Sequence, residues 1–233
     1  MEFGGFERLS LIDYPGMLAS VAFTIGCNFR CWFCQNAALV KRDYASLEVL
    51  SEEEVLDKIS KSRRITEGLV ITGGEPTMHV ELPAFIEKAK RMGIKVKLDT
   101  NGSNPAMLHS LIERKLVDYV AMDVKMPIAR YEEAVHARNF EESIKESISM
   151  LISSGIDYEF RTTVTPQLFP EDLLEIARSI KGAKRYSLQK FNPENTLSKY
   201  YGKSYEWNGE QLIEASKRIS MSGLVGECEL KNI

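Results

Sequence analysis

The sequence predicts an α/β fold, a partial, open β/α barrel of about six parallel β/α units. Three observations carry this. Short apolar runs alternate with amphipathic helical stretches, the pattern of parallel strands joined by crossover helices. Glycines stand where the helices should stop, at Gly93, Gly155 and Gly182. The chain of 233 residues can bury a sizeable core but supplies fewer units than the eight of a closed barrel, so one side should stay open.

The elements follow in order. Asp13-Tyr14-Pro15-Gly16, after Ser10, reads as a turn into the first strand. Strands are expected at 18–25, 68–72, 95–99, 119–124, 158–164 and 185–190. Ser51 and Glu54 form a capping box, and Val55, Leu56 and Ile59 then make the apolar stripe of a helix through Ser62. Further helices are expected near 82–91, 105–114, 140–153 and 171–180, with a last one near 209–221. With no low-complexity segment or linker, residues 1–233 are expected to form a single domain, its core at 18–193 and a C-terminal helical extension over 194–233.

Composition narrows the function classes. Hydrophobic residues at 44% and charged residues at 27% are ordinary globular values, which disfavours disorder and membrane residence. No apolar run approaches the roughly 20 residues that span a bilayer, and residues 1–8 lack the apolar core of a signal peptide. A net charge of −3 gives no electrostatic reason to expect a nucleic-acid partner. Thiols clustered for metal binding belong in a reducing compartment, so a cytoplasmic location is expected.

Three of the four cysteines, Cys27, Cys31 and Cys34, fall within eight residues directly after the first strand. Soft sulfur ligands on one short loop suit an iron–sulfur cluster or a zinc ion. A structural zinc is normally closed by four protein ligands, and two-cluster ferredoxins need more cysteines than this chain holds. A fourth ligand would have to be Cys228, one of His79, His109 and His136, or something other than protein. An iron left without a protein ligand is an open site where a small molecule can be chelated.

In a barrel of parallel strands the active site forms at the carboxyl ends of the strands, so the residues there matter most. The second strand ends in Gly73-Gly74-Glu75-Pro76, where paired glycines allow close backbone approach and the glutamate can accept hydrogen bonds from an ammonium group. The third ends in Asp99-Thr100-Asn101 and the fourth in Ala121-Met122-Asp123-Val124-Lys125. Each aspartate could be a simple cap or turn former, but two carboxylates on adjacent strand ends face one space, with Lys125 as a charge partner. Arg161, in the fifth strand, needs an anion, either in the site or as a salt bridge to Asp123. Gln189 and Phe191 close the sixth.

Other residues read more plainly. Cys228 is taken as a lone C-terminal thiol, His79 as a surface-loop histidine, and His109 and His136 as solvated. Trp32 and Phe29 should shield the metal centre, and the scattered methionines fill the core.

The spacing of Cys27, Cys31 and Cys34, with the aromatic Phe33 before the last, resembles the signature of the radical S-adenosylmethionine (SAM) superfamily. That resemblance implies a 4Fe-4S cluster on the three cysteines, with the amino and carboxylate groups of SAM on the fourth iron. Gly73-Gly74-Glu75-Pro76 is similar to the motif that binds the SAM amino group. The third and fourth strand ends look like those of glycyl-radical-enzyme activases. They imply a monovalent cation at Asp99, Thr100 and Asp123, with the Ala121 carbonyl as a further ligand, and Lys125 on the SAM carboxylate. Phe33, Asn101, Arg161 and Gln189 are carried over as further SAM-site residues, with Gln189 or Phe191 bordering the adenosine.

Asp13-Tyr14-Pro15-Gly16 and Cys34-Gln35-Asn36 narrow the resemblance to the activases of anaerobic ribonucleoside-triphosphate reductase and the related ones of pyruvate formate-lyase. It runs from Phe6 to Pro193. No cysteines remain for the added ferredoxin-like clusters of other activases. Gln35 and Asn36 differ from the aspartate and threonine usual in deazaguanine-forming enzymes, and Gln35 also replaces a histidine found in many activases. The implied activity is that of an oxygen-sensitive oxidoreductase. It would reductively cleave SAM to a 5′-deoxyadenosyl radical and abstract hydrogen from a glycine of a partner enzyme. The expected partner is anaerobic ribonucleotide reductase, with pyruvate formate-lyase or a related glycyl radical enzyme second. A small-molecule substrate is the next alternative and a non-enzymatic metal-binding module the last. A flavodoxin or ferredoxin is the implied electron donor.

Overall fold

The first strand lies where none was expected. In the computed structural model, which describes residues 1–199 and 204–231, β1 (Glu2–Ser10) runs antiparallel to β2 (Ala19–Thr24). The pattern hid it because Gly4 and Gly5 interrupt any alternation. A Cβ on Gly4 would stand 2.3 Å from Leu39, and the neighbouring Phe3 is buried with its ring 4.9 Å from that of Phe85. The turn between the two strands is as expected, with Met17 N donating to Tyr14 O at 3.2 Å.

The chain divides into two units. One comprises Met1–Asn28, Asn36–Thr100 and Ala106–Val120, the other Phe29–Gln35, Asn101–Pro105 and Ala121–Ile233. In the first, α1 (Ala37–Lys41) follows the cysteine loop, and a two-residue β3 (Leu50–Ser51) pairs with β1. Then come α2 (Glu52–Ser62), β4 (Gly68–Gly73), α3 (Leu82–Arg91), β5 (Lys95–Thr100) and α4 (Pro105–Glu113). The Ser51–Glu54 capping box forms as the sequence requires. Strand order is β3-β1-β2-β4-β5, with β2, β4 and β5 parallel. Val21, Val70, Val96 and Leu98 on these strands are buried.

After β6 (Tyr119–Asp123), the second unit continues with α5 (Tyr131–Val135), α6 (Glu141–Ser153), β7 (Asp157–Val164), α7 (Pro170–Ser179) and β8 (Arg185–Lys190). It closes with α8 (Gly209–Met221) and β9 (Glu227–Lys231). Strand order is β6-β7-β8-β9, and β7, β8 and β9 are parallel.

All six expected strands exist, with ends within about two residues of the expected ones. The C-terminal segment is corrected, because it adds a strand, β9, as well as the helix α8. Residues 200–203 and 232–233 of that expected extension lie outside the described residues. Cys228 belongs to β9, buried beside Tyr186 of β8, so it is a packed core thiol and not a tail thiol.

Candidate active site

The expected site residues divide between the two units. In the first, β2 leads into Gly26 and Cys27, and β4 into Gly73-Gly74-Glu75-Pro76. These two strand ends are knitted at the backbone: Gly74 N donates to Thr24 O at 2.9 Å, and Glu75 N to Gly26 O at 2.8 Å. Such closeness requires glycine. A Cβ on Gly74 would fall 1.9 Å from Gly26 O, and Gly73 holds φ at +117°. Asn36 adds a bond from its side-chain amide to Gly73 O at 3.1 Å, tying the start of α1 to the end of β4.

Glu75 is buried at the start of a short 3₁₀ turn over Pro76–Met78. Its Oε1 accepts from Thr77 N at 3.1 Å, Thr77 Oγ1 at 2.6 Å and Thr100 Oγ1 at 2.7 Å. The carboxylate is thereby held in one orientation, and Thr100 reaches it from the end of β5. Asp99 accepts an ion pair from Lys97, two residues earlier on the same strand.

His79 corrects the expectation of a surface-loop residue. It is half-buried, and its Nε2 is buried without a hydrogen-bond partner among the described residues. Burial lowers its pKa, outweighing Glu81 and a backbone bond to Ile25 that act to raise it. His109 and His136 are exposed, as expected.

In the second unit the rest of the cysteine loop is fixed from several directions. Arg30 N donates to Val135 O at 2.8 Å, Leu197 N to Cys34 O at 2.9 Å and Ser198 N to Trp32 O at 3.0 Å. Trp32 is buried, with its Nε1 donating to Gln167 at 3.0 Å and its ring packed edge-on against Phe33 and Phe191. Phe29 is buried against Tyr131 and Phe140. Gln35 reaches Asn192 O at 3.4 Å, which gives that position a role in holding the loop.

Asp123, at the end of β6, stands between two cations. Its Oδ1 accepts from Arg161 Nε at 2.9 Å and its Oδ2 from Lys125 Nζ at 3.0 Å. The salt-bridge alternative for Arg161 is therefore realised. Burial alone would raise the Asp123 pKa, but the charges of Arg161 and Lys125 outweigh it and hold it down at about 2. Burial likewise opposes the charge on Lys125, yet Asp123 and the nearby sulfur of Cys31 raise its pKa, so it stays protonated. Its Nζ lies 5.9 Å from the centre of the Phe33 ring. A fixed ammonium thus stands beside the loop that carries Cys31 and Cys34.

Asn101 is buried and accepts from Ser103 N at 2.9 Å, the bond of a turn former. Gln189 lies half-buried in β8, in register with Thr163. Sequence reasoning missed Lys97 and the bonds of Thr77, and used Asn36 only as a marker of the resemblance. Only Thr77, two residues past Glu75, carried a readable signal, since a hydroxyl at that spacing can cap a turn.

The donor set fits a thiolate-held group. All four cysteines are thiols, Cys31 buried and Cys27 and Cys34 half-buried. Cys228 is committed elsewhere, near the amino end of β8, where burial pushes its pKa up to about 11. It therefore does not serve as a fourth ligand. Among the described residues no three His, Cys, Asp or Glu side chains form a ready-made metal cage. The fit rests on the soft thiol donors themselves and on the fixed cation near one of them, Cys31.

Comparison with known proteins agrees with this chemistry. The family model of the radical SAM superfamily matches residues 21–180. A protein of Methanocaldococcus jannaschii that bears the provisional name of glycyl-radical enzyme activating enzyme is 35% identical over 219 residues, 91% of this chain and 89% of that one. The pyruvate formate-lyase-activating enzyme of Streptococcus mutans is 26% identical over 83% of this chain and 77% of its own length. The 7-carboxy-7-deazaguanine synthase of Koribacter versatilis is 30% identical over 66% of this chain and 65% of its own. Among solved structures, Streptococcus suis SuiB bound to its precursor peptide SuiA superposes with a TM-score of 0.71 over 91% of this chain at 13% identity, a likeness of fold alone. This chain spans 48% of SuiB. The chain belongs to the radical SAM superfamily, in the family of the glycyl-radical enzyme activating enzymes.

Proposed function

We propose that this protein activates a glycyl radical enzyme, anaerobic ribonucleotide reductase in the first instance, and that Cys27, Cys31 and Cys34 hold a 4Fe-4S cluster. When bound, the cluster and SAM supply the one-electron chemistry by which a hydrogen atom is taken from a glycine of the partner. The chain's own residues do the rest. Glu75, oriented by Thr77 and Thr100, accepts the SAM ammonium, and Gly73 and Gly74 let the backbone come close. Phe33 and Trp32 exclude water from the loop.

Lys125 carries the reading. Its ammonium is oriented by Asp123 beside Phe33 and Cys31, where a carboxylate chelated next to the cluster would need a cation. Arg161 keeps Asp123 ionised, so that Lys125 stays aimed. Pro76, Asn101 and Gln189 are proposed as further SAM contacts, each at or just past the end of its own strand. A flavodoxin or ferredoxin is the proposed electron donor, and the cytoplasm the proposed location. No described helix is long and apolar enough to cross a membrane.

A second reading, a small-molecule substrate, is favoured by the likeness to a deazaguanine synthase. Electron paramagnetic resonance separates the two. The anaerobically reconstituted, reduced protein is mixed with SAM and, separately, with an anaerobic ribonucleotide reductase and a pyruvate formate-lyase of the same source. A glycyl-radical signal with the reductase is expected. A signal with the lyase alone reassigns the partner. Accumulation of 5′-deoxyadenosine with neither signal moves the small-molecule reading forward, and no cleavage at all overturns both.

A further inference from the structure

Lys97 belongs to none of the motifs that mark the site, yet it is 1% exposed and among the largest fully buried side chains. Strand register places it in a row of buried valines, Val21 beside Val70 and Val70 beside Lys97. Lysine is almost never buried to this degree without a partner. The partner is Asp99, two residues on and so on the same face of β5, whose carboxylate takes the ammonium in an ion pair with both side chains largely out of solvent. Thr100 follows directly and donates to Glu75. An ammonium has the charge and about the size of a potassium ion, and two such cations on one carboxylate in a buried setting would repel strongly.

We propose that Lys97 is a built-in counter-charge for Asp99, a positioning residue whose ammonium makes a bound monovalent cation at Asp99 and Thr100 unnecessary. The inference deepens the SAM-site reading above. It replaces the cation that the activase motifs imply with a group of the chain itself. Lys97 suits that role, being a compact point charge on a flexible stem that the valine row can accommodate.

The test compares the full-length chain, without cluster or SAM, in potassium chloride and in choline chloride of equal ionic strength. The native protein is expected to melt at the same temperature in both salts. Lys97→Ala should melt about 10 °C lower in choline, because it takes the adjoining ammonium away from a carboxylate largely out of solvent, and potassium or methylammonium should restore a substantial part of that loss. If Lys97→Ala does not fold, Lys97→Met combined with Asp99→Asn removes both charges and should melt alike in the two salts. Potassium-specific stabilisation of the native protein, or of the double variant, would overturn the proposal. So would a folded Lys97→Ala that gains nothing from any small cation. Calorimetric SAM titration of the reconstituted native protein should give one affinity in both salts, and a potassium requirement there also overturns it. Failure to bind SAM in either salt would instead sink the SAM-site reading and leave the melting result to decide Lys97.

Discussion

Asp123 carries its negative charge at the cost of two basic neighbours, and this has a consequence measurable in acid. Its pKa in the fold is about 2, below the 3.8 of a free aspartate, so its ionised form stabilises the protein above about pH 4. That contribution falls away as pH drops through 2. On the order of 1–2 kcal/mol is at stake, discounted because the side chain keeps 29% exposure. Asp123→Asn should therefore be less stable than the native protein at pH 7, with the gap closing as urea melts are repeated towards pH 2. A constant gap across that range would refute the assignment. Asp123 and Glu75 were legible in the sequence because acids at strand ends are conspicuous and the glycines beside Glu75 announce a close approach. Lys97 was not, since an isolated lysine in a strand reads as surface. Only the valine row on the neighbouring strands reveals that its position is internal.

At the scale of elements, periodicity was a sound guide wherever strand and helix alternate, because each β/α unit must bury one helix stripe against strands apolar on both faces. It failed at the two ends of the chain. Glycines blurred β1, and the charged Glu227-Cys228-Glu229-Leu230-Lys231 resembles a tail more than a strand. What makes β9 a strand is tertiary: it pairs in parallel with β8, and Lys231 Nζ meets the buried Glu159 at 2.5 Å, where Ser187 Oγ also donates at 2.8 Å. Among the described residues, removing the lysine leaves a buried carboxylate with a hydroxyl partner but without its ion-pair partner. Lys231→Met is expected to cost roughly 2–3 kcal/mol in chemical denaturation, and the double variant with Glu159→Gln should regain part of it. A single variant as stable as the native chain would show that the pair does not anchor β9.

For the whole molecule, the loop of Cys27, Cys31 and Cys34 was readable because three thiols in eight residues have few chemical uses, whereas the contacts that fix the loop come from residues far along the chain. Gln167, Asn192, Leu197 and Ser198 reach it through ordinary backbone and amide bonds that leave no mark on a sequence. If SAM binds the reconstituted protein, a concentration 100-fold above its dissociation constant adds about 2.7 kcal/mol and should raise the melting midpoint by roughly 5–10 °C. No shift at that excess would contradict binding. Cys228 gives the same preparations an internal standard. A buried thiol on β9, beside Tyr186 of β8 and with Ser216 of α8 donating to its carbonyl, whose pKa is pushed up to about 11, is a slow nucleophile at neutral pH. Brief alkylation of the native chain followed by peptide mass spectrometry should therefore leave Cys228 unmodified whether or not iron is present. Any change in labelling between reconstituted and stripped samples then counts occupied ligands on the loop alone.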